Sequence, residues 1–407
     1  MAHCITLTGI TLLLVAAAEH NARLQLMIYQ VGSGEKIRGQ VARMQTGENI
    51  RGNCWRGRPA TSKDSPNIVR LFNEVFDGKR SMDHWKWKFL DNPAGNQCMQ
   101  VAEDRGGIVG HLAILPTWMN LRGEKVMGGQ IIDIMTHPAY RKQGMFVSLA
   151  KQCFDQAASM GIAMIYVFPN KQSYPGLVKG LACSYMGRLP KLVRILKVKR
   201  IIRDRSKSEA IGGLFEKAES ILIKLMGGVS RPVTRGHIKI SMIEGFDIRF
   251  DGLWERMKSK NYVGVWKDSN YLNWRYKLCP DKQYNVMAAE ENGTLVGFTV
   301  LKCGAFPGRN GYIGNVVEFL CLPEKMAAAE LLIDAALQYL KDQGMDAAGC
   351  HMFEHSPHYK VFRRKGFFRR RRSYLPFIVR TNNPNLGCNA LVNRKEWHMV
   401  EGDIDVF

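Results

Sequence analysis

The passage from Trp87 to Gly110 recurs from Trp274 to Gly297. Trp87, Pro93 and Gly110 fall opposite Trp274, Pro280 and Gly297 at one constant offset of 187 residues. Three ungapped matches across a strand, an acidic-Gly turn and a second strand mean a duplicated unit, and an offset this large makes the unit a domain rather than a solenoid repeat. The match continues with small insertions: Asp133 in IIDIM falls opposite Glu318 in VVEFL, and LVKGLAC opposite FRRKGFF. A chain of 407 residues, 46% of them hydrophobic, has room for two or three domains with real cores.

Between the two carboxylate strands and their following helices the copies differ. In the first, Ile131, Ile132, Ile134 and Met135 crowd together as in a buried strand, His137-Pro138 marks a turn, and Phe146, Leu149, Ala150, Cys153, Phe154 and Ala157 recur at helical spacing. Arg141-Lys142-Gln143-Gly144 lies at the helix start, where backbone N–H groups are unpaired and the helix dipole is positive, so the loop suits a pyrophosphate. A solvated loop before an ordinary helix N-terminus has the same composition. The second copy reads CLPEKMAAAELLIDAALQYL, with no glycine or arginine in the turn and Glu324 facing any phosphate. Its cofactor site reads as degenerate.

The strand with its carboxylate, the His-Pro, Tyr140-Arg141-x-x-Gly144, the strand IAMIYVFPN and the segment SYPGLVKG together resemble the acetyl-CoA site of GNAT-superfamily N-acetyltransferases. That family's loop is Gln or Arg, two residues, Gly, one residue, then Gly or Ala. Arg141 and Gly144 fit, and Phe146 stands where a small residue is usual. The resemblance covers about Pro59 to Arg380 and is of the tandem type, and the tail NRKEWHMVEGDIDVF is similar to the ending of tandem GNAT proteins found with bacterial polysaccharide genes.

The resemblance implies an α/β (α+β) fold of two tandem GNAT-like domains, each a mixed, mostly antiparallel sheet flanked by helices. It also implies acetyl-CoA as co-substrate and direct attack of an amine on the thioester. Ile134, Met135 and Thr136 would hold the pantetheine, Arg141, Lys142, Gln143, Gly144, Met145 and Phe146 the pyrophosphate, and Asn170 a further CoA contact. Asp133 is the expected general base: it is flanked by Ile132 and Ile134, and burial would raise its pKa. A strand carboxylate bonded to a neighbouring loop is the other reading of the same residue. The family's usual tyrosine acid is missing, since Val178 and Ala182 occupy the motif positions, which leaves Tyr174 or water to protonate the thiolate.

The expected domains are a poorly ordered leader and linker (1–56), the acyl-CoA-binding domain (57–190), a basic connector with a helix (191–245), the degenerate domain (246–380) and a tail (381–407), read as a surface tail, with Asp403 and Asp405 approaching the acceptor cleft as the other reading. Ser65 to Phe76 reads as a capped amphipathic helix with Pro66 in its first turn. The run from Cys4 to Ala18 resembles a signal-peptide core without a cationic start, and Met27 is an alternative start. His351, Glu354 and His355 fit the H-x-x-E-H zinc signature, but the segment follows Gly344 as a strand, which holds the two histidines apart, so no metal is expected.

A formal charge of +22 favours anionic partners without choosing among them. No nucleic-acid-binding signature accompanies it, and a peripheral contact between the basic connector and an anionic membrane stays open. Ten cysteines without a C-x-x-C pair point to a reducing, cytoplasmic setting. The acceptor expected from the charge and the second domain is a small-molecule amine bearing phosphate, such as an amino sugar on a nucleotide or lipid. Two other classes compete: an aminoacyl- or peptidyl-transferring relative, favoured by the charge, and a non-catalytic module binding CoA or polyanions, favoured by the missing tyrosine.

Overall fold

In the computed structural model, residues 54–95, 97–197, 237–258, 262–306, 310–382, 391 and 393–405 are described. The leader and the helix expected within the connector lie outside them. The first half runs β1 (Arg56–Pro59), α1 (Ser65–Phe76), α2 (Met82–Phe89), β2 (Cys98–Asp104), β3 (Gly107–Leu121), β4 (Glu124–Thr136), α3 (Met145–Ser159), β5 (Met164–Val167) and β6 (Ser184–Ile195). The second half repeats the series with β7 (Ile238–Ile243), α4 (Ile248–Lys258), β8 (Val263–Val265), α5 (Ser269–Tyr276), β9 (Asn285–Glu291), β10 (Thr294–Ala305), β11 (Tyr312–Cys321), α6 (Met326–Asp342), β12 (Ala347–His351), α7 (Tyr359–Arg364) and β13 (Phe368–Thr381).

The described strands join one 13-stranded sheet in the order β1-β2-β3-β4-β5-β13-β6-β12-β11-β10-β9-β7, with β8 paired to β3. In each half three antiparallel strands lead through a crossover helix to a parallel strand, β4 to β5 and β11 to β12. The closing strands are exchanged. β13 pairs with β5 and β6 with β12, while β6 and β13 pair with each other. Each half therefore completes the other's sheet, and separating them would expose strand edges.

The tryptophans that mark the repeat meet at the centre of this arrangement. Trp87 Nε1 donates to Trp274 O at 2.7 Å and Trp274 Nε1 to Trp87 O at 2.8 Å, with the rings stacked at 5.1 Å. The exchange is reciprocal, as in a two-fold contact.

Several elements depart from expectation. β1 begins inside the stretch read as linker, because a four-residue strand with Arg, Gly and Pro has no period to detect; pairing with β2 and the Arg58 bridges to Asp64 and Glu103 hold it. Asp64 does not cap α1 through its side chain, since that carboxylate is taken by Arg58 and the Thr61 amide. The described ends of 191–245 are sheet strands, β6 reaching Ile195 and β7 starting at Ile238. The described end of the tail, 393–405, is packed into the fold rather than lying on the surface. Glu401 and Asp403 are buried, Arg275 donates to Gly402 O and Ile404 O, and Gln130 donates to Asp403 O. A run of alternating acidic and apolar residues hides this, because its partners come from both halves.

Candidate active site

The site begins at an irregularity in β4. Its partner β3 pairs His111 with Met135 and Ala113 with Ile132, so Asp133 and Ile134 together oppose Leu112. Asp133 takes the left-handed backbone, φ +48°, as the first residue of a G1-type bulge does, a position usually held by glycine. The parallel pairing of β4 with β5 covers only Gly128 to Gln130. Beyond it the strands part, and a cavity of about 450 Å³ opens between Gln130–Ile134 and Val167–Asn170. Phe72 and Phe76 of α1 form its apolar wall, and the second half supplies Asp281, Lys282, Ile404 and Asp405.

A second cavity of about 500 Å³ adjoins it, and the two share Phe76, Ile134, Asn170 and Ser173. Its floor is the basic loop. Lys142 and Gly144 adopt left-handed backbone, φ +64° and +75°, and α3 starts at Met145. The first backbone bond of that helix runs from Ser148 N to Gly144 O, 3.1 Å, so the preceding amides face the helix entrance. Arg141 is exposed beside them, its Nε 3.4 Å from Thr136 O. The bulky Phe146 fits because Gly176 has no side chain: a Cβ there would stand 2.5 Å from the Phe146 ring.

Ile134 and Asn170 face both cavities, Asp133 only the first, and Thr136, Arg141, Lys142, Gly144, Met145 and Phe146 only the second. Met135 points into the core, its backbone paired with His111, and Gln143 lies on the exposed loop. Tyr174 packs edge-on against Tyr185 at 5.9 Å and lines neither cavity. Asn170 Oδ1 accepts from Gln172 N and Ser173 N, at 3.0 and 2.9 Å, which fixes the turn after β5.

The Asp133 carboxylate is buried, as expected, but its pKa is not raised, so it lacks the tuning expected of a general base. Burial pushes its pKa up, and Lys88 and Arg80 together outweigh burial, holding the group well below the usual carboxylate range. Arg80 Nη1 bonds Oδ2 directly; Lys88 Nζ stands 3.3 Å from Oδ1 and 2.5 Å from Asp405 Oδ1. His111 Nδ1 lies 2.8 Å from the Asp133 carbonyl. The bulge is thus tied down by its side chain and its backbone.

The sequence did not draw attention to Arg80, Lys88, His84, Asp281 or Lys282. The repeat carried a signal for two of them: the offset of 187 places Arg80 opposite Lys267 and Lys88 opposite Arg275. In the second half Lys267 Nζ pairs with Glu318 at 2.5 Å and with Asp403 at 2.9 Å. One lysine shared by two carboxylates leaves burial dominant, and Glu318 is pushed up where Asp133 is held down. A cavity of about 300 Å³ lies there, and the turn leading to α6 presents Pro323, Glu324 and Lys325, the last paired with Glu291.

The histidines of the H-x-x-E-H match have other occupations. His351, the last residue of β12, pairs with Glu401 at 2.9 Å, and His355, in the following turn, lies 2.8 Å from Trp397 O. Arg363 and Arg364 belong to α7 and Arg369 to Arg371 to β13, where Arg364 pairs with Glu330 and Arg369 with Glu354. Among the described residues, no helix is long and apolar enough to cross a membrane.

Comparison with known proteins agrees with this geometry. Residues 56–178 match the family model described as an acetyltransferase (GNAT) domain. A search of curated proteins gave no match. Among solved structures, the chain is similar to a GCN5-related N-acetyltransferase from Anabaena variabilis, at 12% identity and TM-score 0.57, over 81% of this chain and 73% of that one. It is similar to an Enterococcus faecalis protein described as a probable N-acyltransferase, at 12% and 0.56, over 80% and 72%. It is also similar to Saccharomyces cerevisiae N-myristoyltransferase with bound myristoyl-CoA, at 12% and 0.52, over 83% and 85%. At such identities the structures speak for the fold alone. With the family match, they establish that residues 56–178 form an acetyltransferase (GNAT) domain within a chain of GNAT-like fold.

Proposed function

We propose that this protein is a tandem GNAT enzyme that transfers an acyl group from acyl-CoA to a primary amine, with acetyl-CoA as donor. The observation that carries the reading is the continuity of the two cavities: a helix entrance with Arg141 beside it opens one, the β4 bulge opens the other, and Ile134 and Asn170 border both. The pyrophosphate would lie on the amides of Gly144 to Phe146 with Arg141 and Lys142 beside it, and the pantetheine along Ile134 to Thr136. The thioester would then reach the bulge, and the amine would enter from the side of Phe76, Lys79 and Lys282.

Residues 57–190 carry the donor site in this reading. Residues 246–380 retain the architecture without the phosphate loop, and with Ile404 and Asp405 they close the acceptor side. Lys79 and Lys282 support a phosphate-bearing acceptor such as an amino sugar nucleotide. Asp133, pinned by two cations, works as the electrostatic anchor of the bulge, and water protonates the departing thiolate, since Tyr174 packs on Tyr185 outside both cavities. The eight free cysteines among the described residues suit a reducing compartment such as the cytoplasm.

A second donor merits the same assay. The apolar wall of Phe72, Phe76, Val167 and Phe168 beside the bulge would take a longer acyl chain, as one structural neighbour holds myristoyl-CoA. Release of CoA thiol is measured with acetyl-, octanoyl- and myristoyl-CoA against amino-sugar nucleotides, polyamines and peptides. Acetyl transfer to a phosphate-bearing amine, slowed by salt, is expected. Transfer only to peptides, or at a salt-independent rate, would overturn the acceptor assignment.

A further inference from the structure

The cavity beneath the bulge contains a histidine with no part in the transfer outlined above. His84 lies in the first turn of α2, where Ser81 Oγ accepts from its backbone N at 3.0 Å. Its ring packs edge-on against Trp87 at 5.0 Å, and Trp87 is itself fixed by the stack on Trp274. Nδ1 stands 2.8 Å from Asp281 Oδ2, a carboxylate from the turn after α5 in the other half of the chain. Both residues line the cavity that Asp133 and Ile134 enter. The ring therefore packs on Trp87 with the Asp281 carboxylate facing its Nδ1 edge, and that negative charge, close by but not in line for a hydrogen bond, favours the tautomer with the proton on Nδ1 and the lone pair on Nε2.

The charges around it keep this imidazole neutral. Burial is the largest influence, and Arg80, Lys88 and Lys282 add to it, against the opposing pull of Asp281, bringing His84 down to about 4. The other carboxylate under the bulge is already committed to Arg80 and Lys88. Among the described groups that line the cavity with the bulge, His84 is the nitrogen base held neutral at pH 7, while Lys282, brought down to about 8 by burial, is still mostly charged there.

We propose that His84 is the general base of the acyl transfer and that Asp281 is its positioning residue, so that each half of the chain supplies one member of the proton-accepting pair. The proposal rests on the acyltransferase reading. The amine nitrogen forms its bond to the thioester carbonyl carbon, His84 Nε2 takes a proton from that nitrogen, and the C–S bond breaks with its electron pair leaving on the CoA sulfur. The proton then returns from His84 through solvent to the thiolate, and the products are the amide and CoA thiol. The arrangement also gives the second half a use after loss of its own phosphate loop: without Asp281 the ring has no fixed tautomer.

The test has two arms. In the first, nitrogen-15 NMR of the free protein near pH 6 to 7, with the His84 signals identified by their loss in His84→Gln, should show Nδ1 protonated and Nε2 bare. Asp281→Asn should mix the two tautomers. A charged imidazolium at pH 6, or a proton on Nε2, overturns the proposal whether or not an acceptor is known. In the second, His84→Gln should lower kcat by about 100-fold or more while leaving acyl-CoA binding by calorimetry unchanged. Activity should fall on acidification as His84 charges, Asp281→Asn should move that fall to lower pH, and Asp281→Glu should restore part of the loss. A merely structural Asp281 would not move the acid limb. Parental kcat in His84→Gln refutes the base; a parent that releases no CoA with any acceptor refutes the acyltransferase reading instead.

Discussion

Replacing Asp133 with asparagine keeps the shape of the side chain and removes the charge that Arg80 and Lys88 face. Those side chains are 8% and 3% exposed, so the variant leaves two cations in a dry site beside a neutral amide. Removing one partner of a buried pair costs about 3 to 5 kcal/mol. Here the lower end applies, because Asp405 still holds Lys88 at 2.5 Å. At roughly 1.2 °C per kcal/mol for a chain of this size, about 3 kcal/mol lowers Tm by about 4 °C. The assay is thermal unfolding followed by circular dichroism at pH 7, with Asp83→Asn as control, since Asp83 is 81% exposed and 4.0 Å from Lys86. The control should melt with the parent. Because the folded pKa of Asp133 is depressed, its stabilisation is present above the unfolded value near 3.8 and lost as pH falls through the folded one, so the gap between parent and variant should narrow only below about pH 4. A variant that melts within 1 °C of the parent yet loses turnover would refute the anchor and make Asp133 the base.

Two further outcomes follow from the packing. Burial brings His358 and His398 down to about 4, so between the unfolded value of 6.5 and that point the unfolded chain binds protons that the folded one does not. Stability should fall on acidification across that window, by about 1.4 kcal/mol per pH unit for each histidine; equal denaturant midpoints at pH 7 and pH 5 would contradict it. Gly176→Ala should push the Phe146 ring and weaken CoA binding, and adding Phe146→Ala should recover it. Additive effects in that double-mutant cycle would show that the 2.5 Å approach has no bearing on the loop.

What the sequence revealed and what it hid divide along physical lines. The duplicated passage and the strand, loop and helix around Arg141 were legible because period and offset are properties of neighbouring residues. The exchange of β6 and β13 was not, since strand order depends on partners far apart in the chain. Asp133 was found as a buried carboxylate, but the effect of burial on it was reversed by Arg80 and Lys88, residues 53 and 45 positions away. The constant offset would have exposed those cations, because it sets Arg80 and Lys88 against Lys267 and Arg275. His84 and Asp281 had no such signal: they come from different halves and meet only in the fold. The tail was misjudged for the same reason, since Lys88, Lys267 and Arg275 bind it from three separate elements.

The central claim is that the loop at the start of α3 binds the donor and that its counterpart before α6 does not. Calorimetric titration of acetyl-CoA into the full chain, and into Arg141→Glu, tests it most directly. The account predicts one CoA per chain for the parent and no measurable binding for the variant, because a carboxylate would replace the cation at an anion-binding helix entrance. Two CoA molecules per chain, or equal affinity in Arg141→Glu, would contradict it.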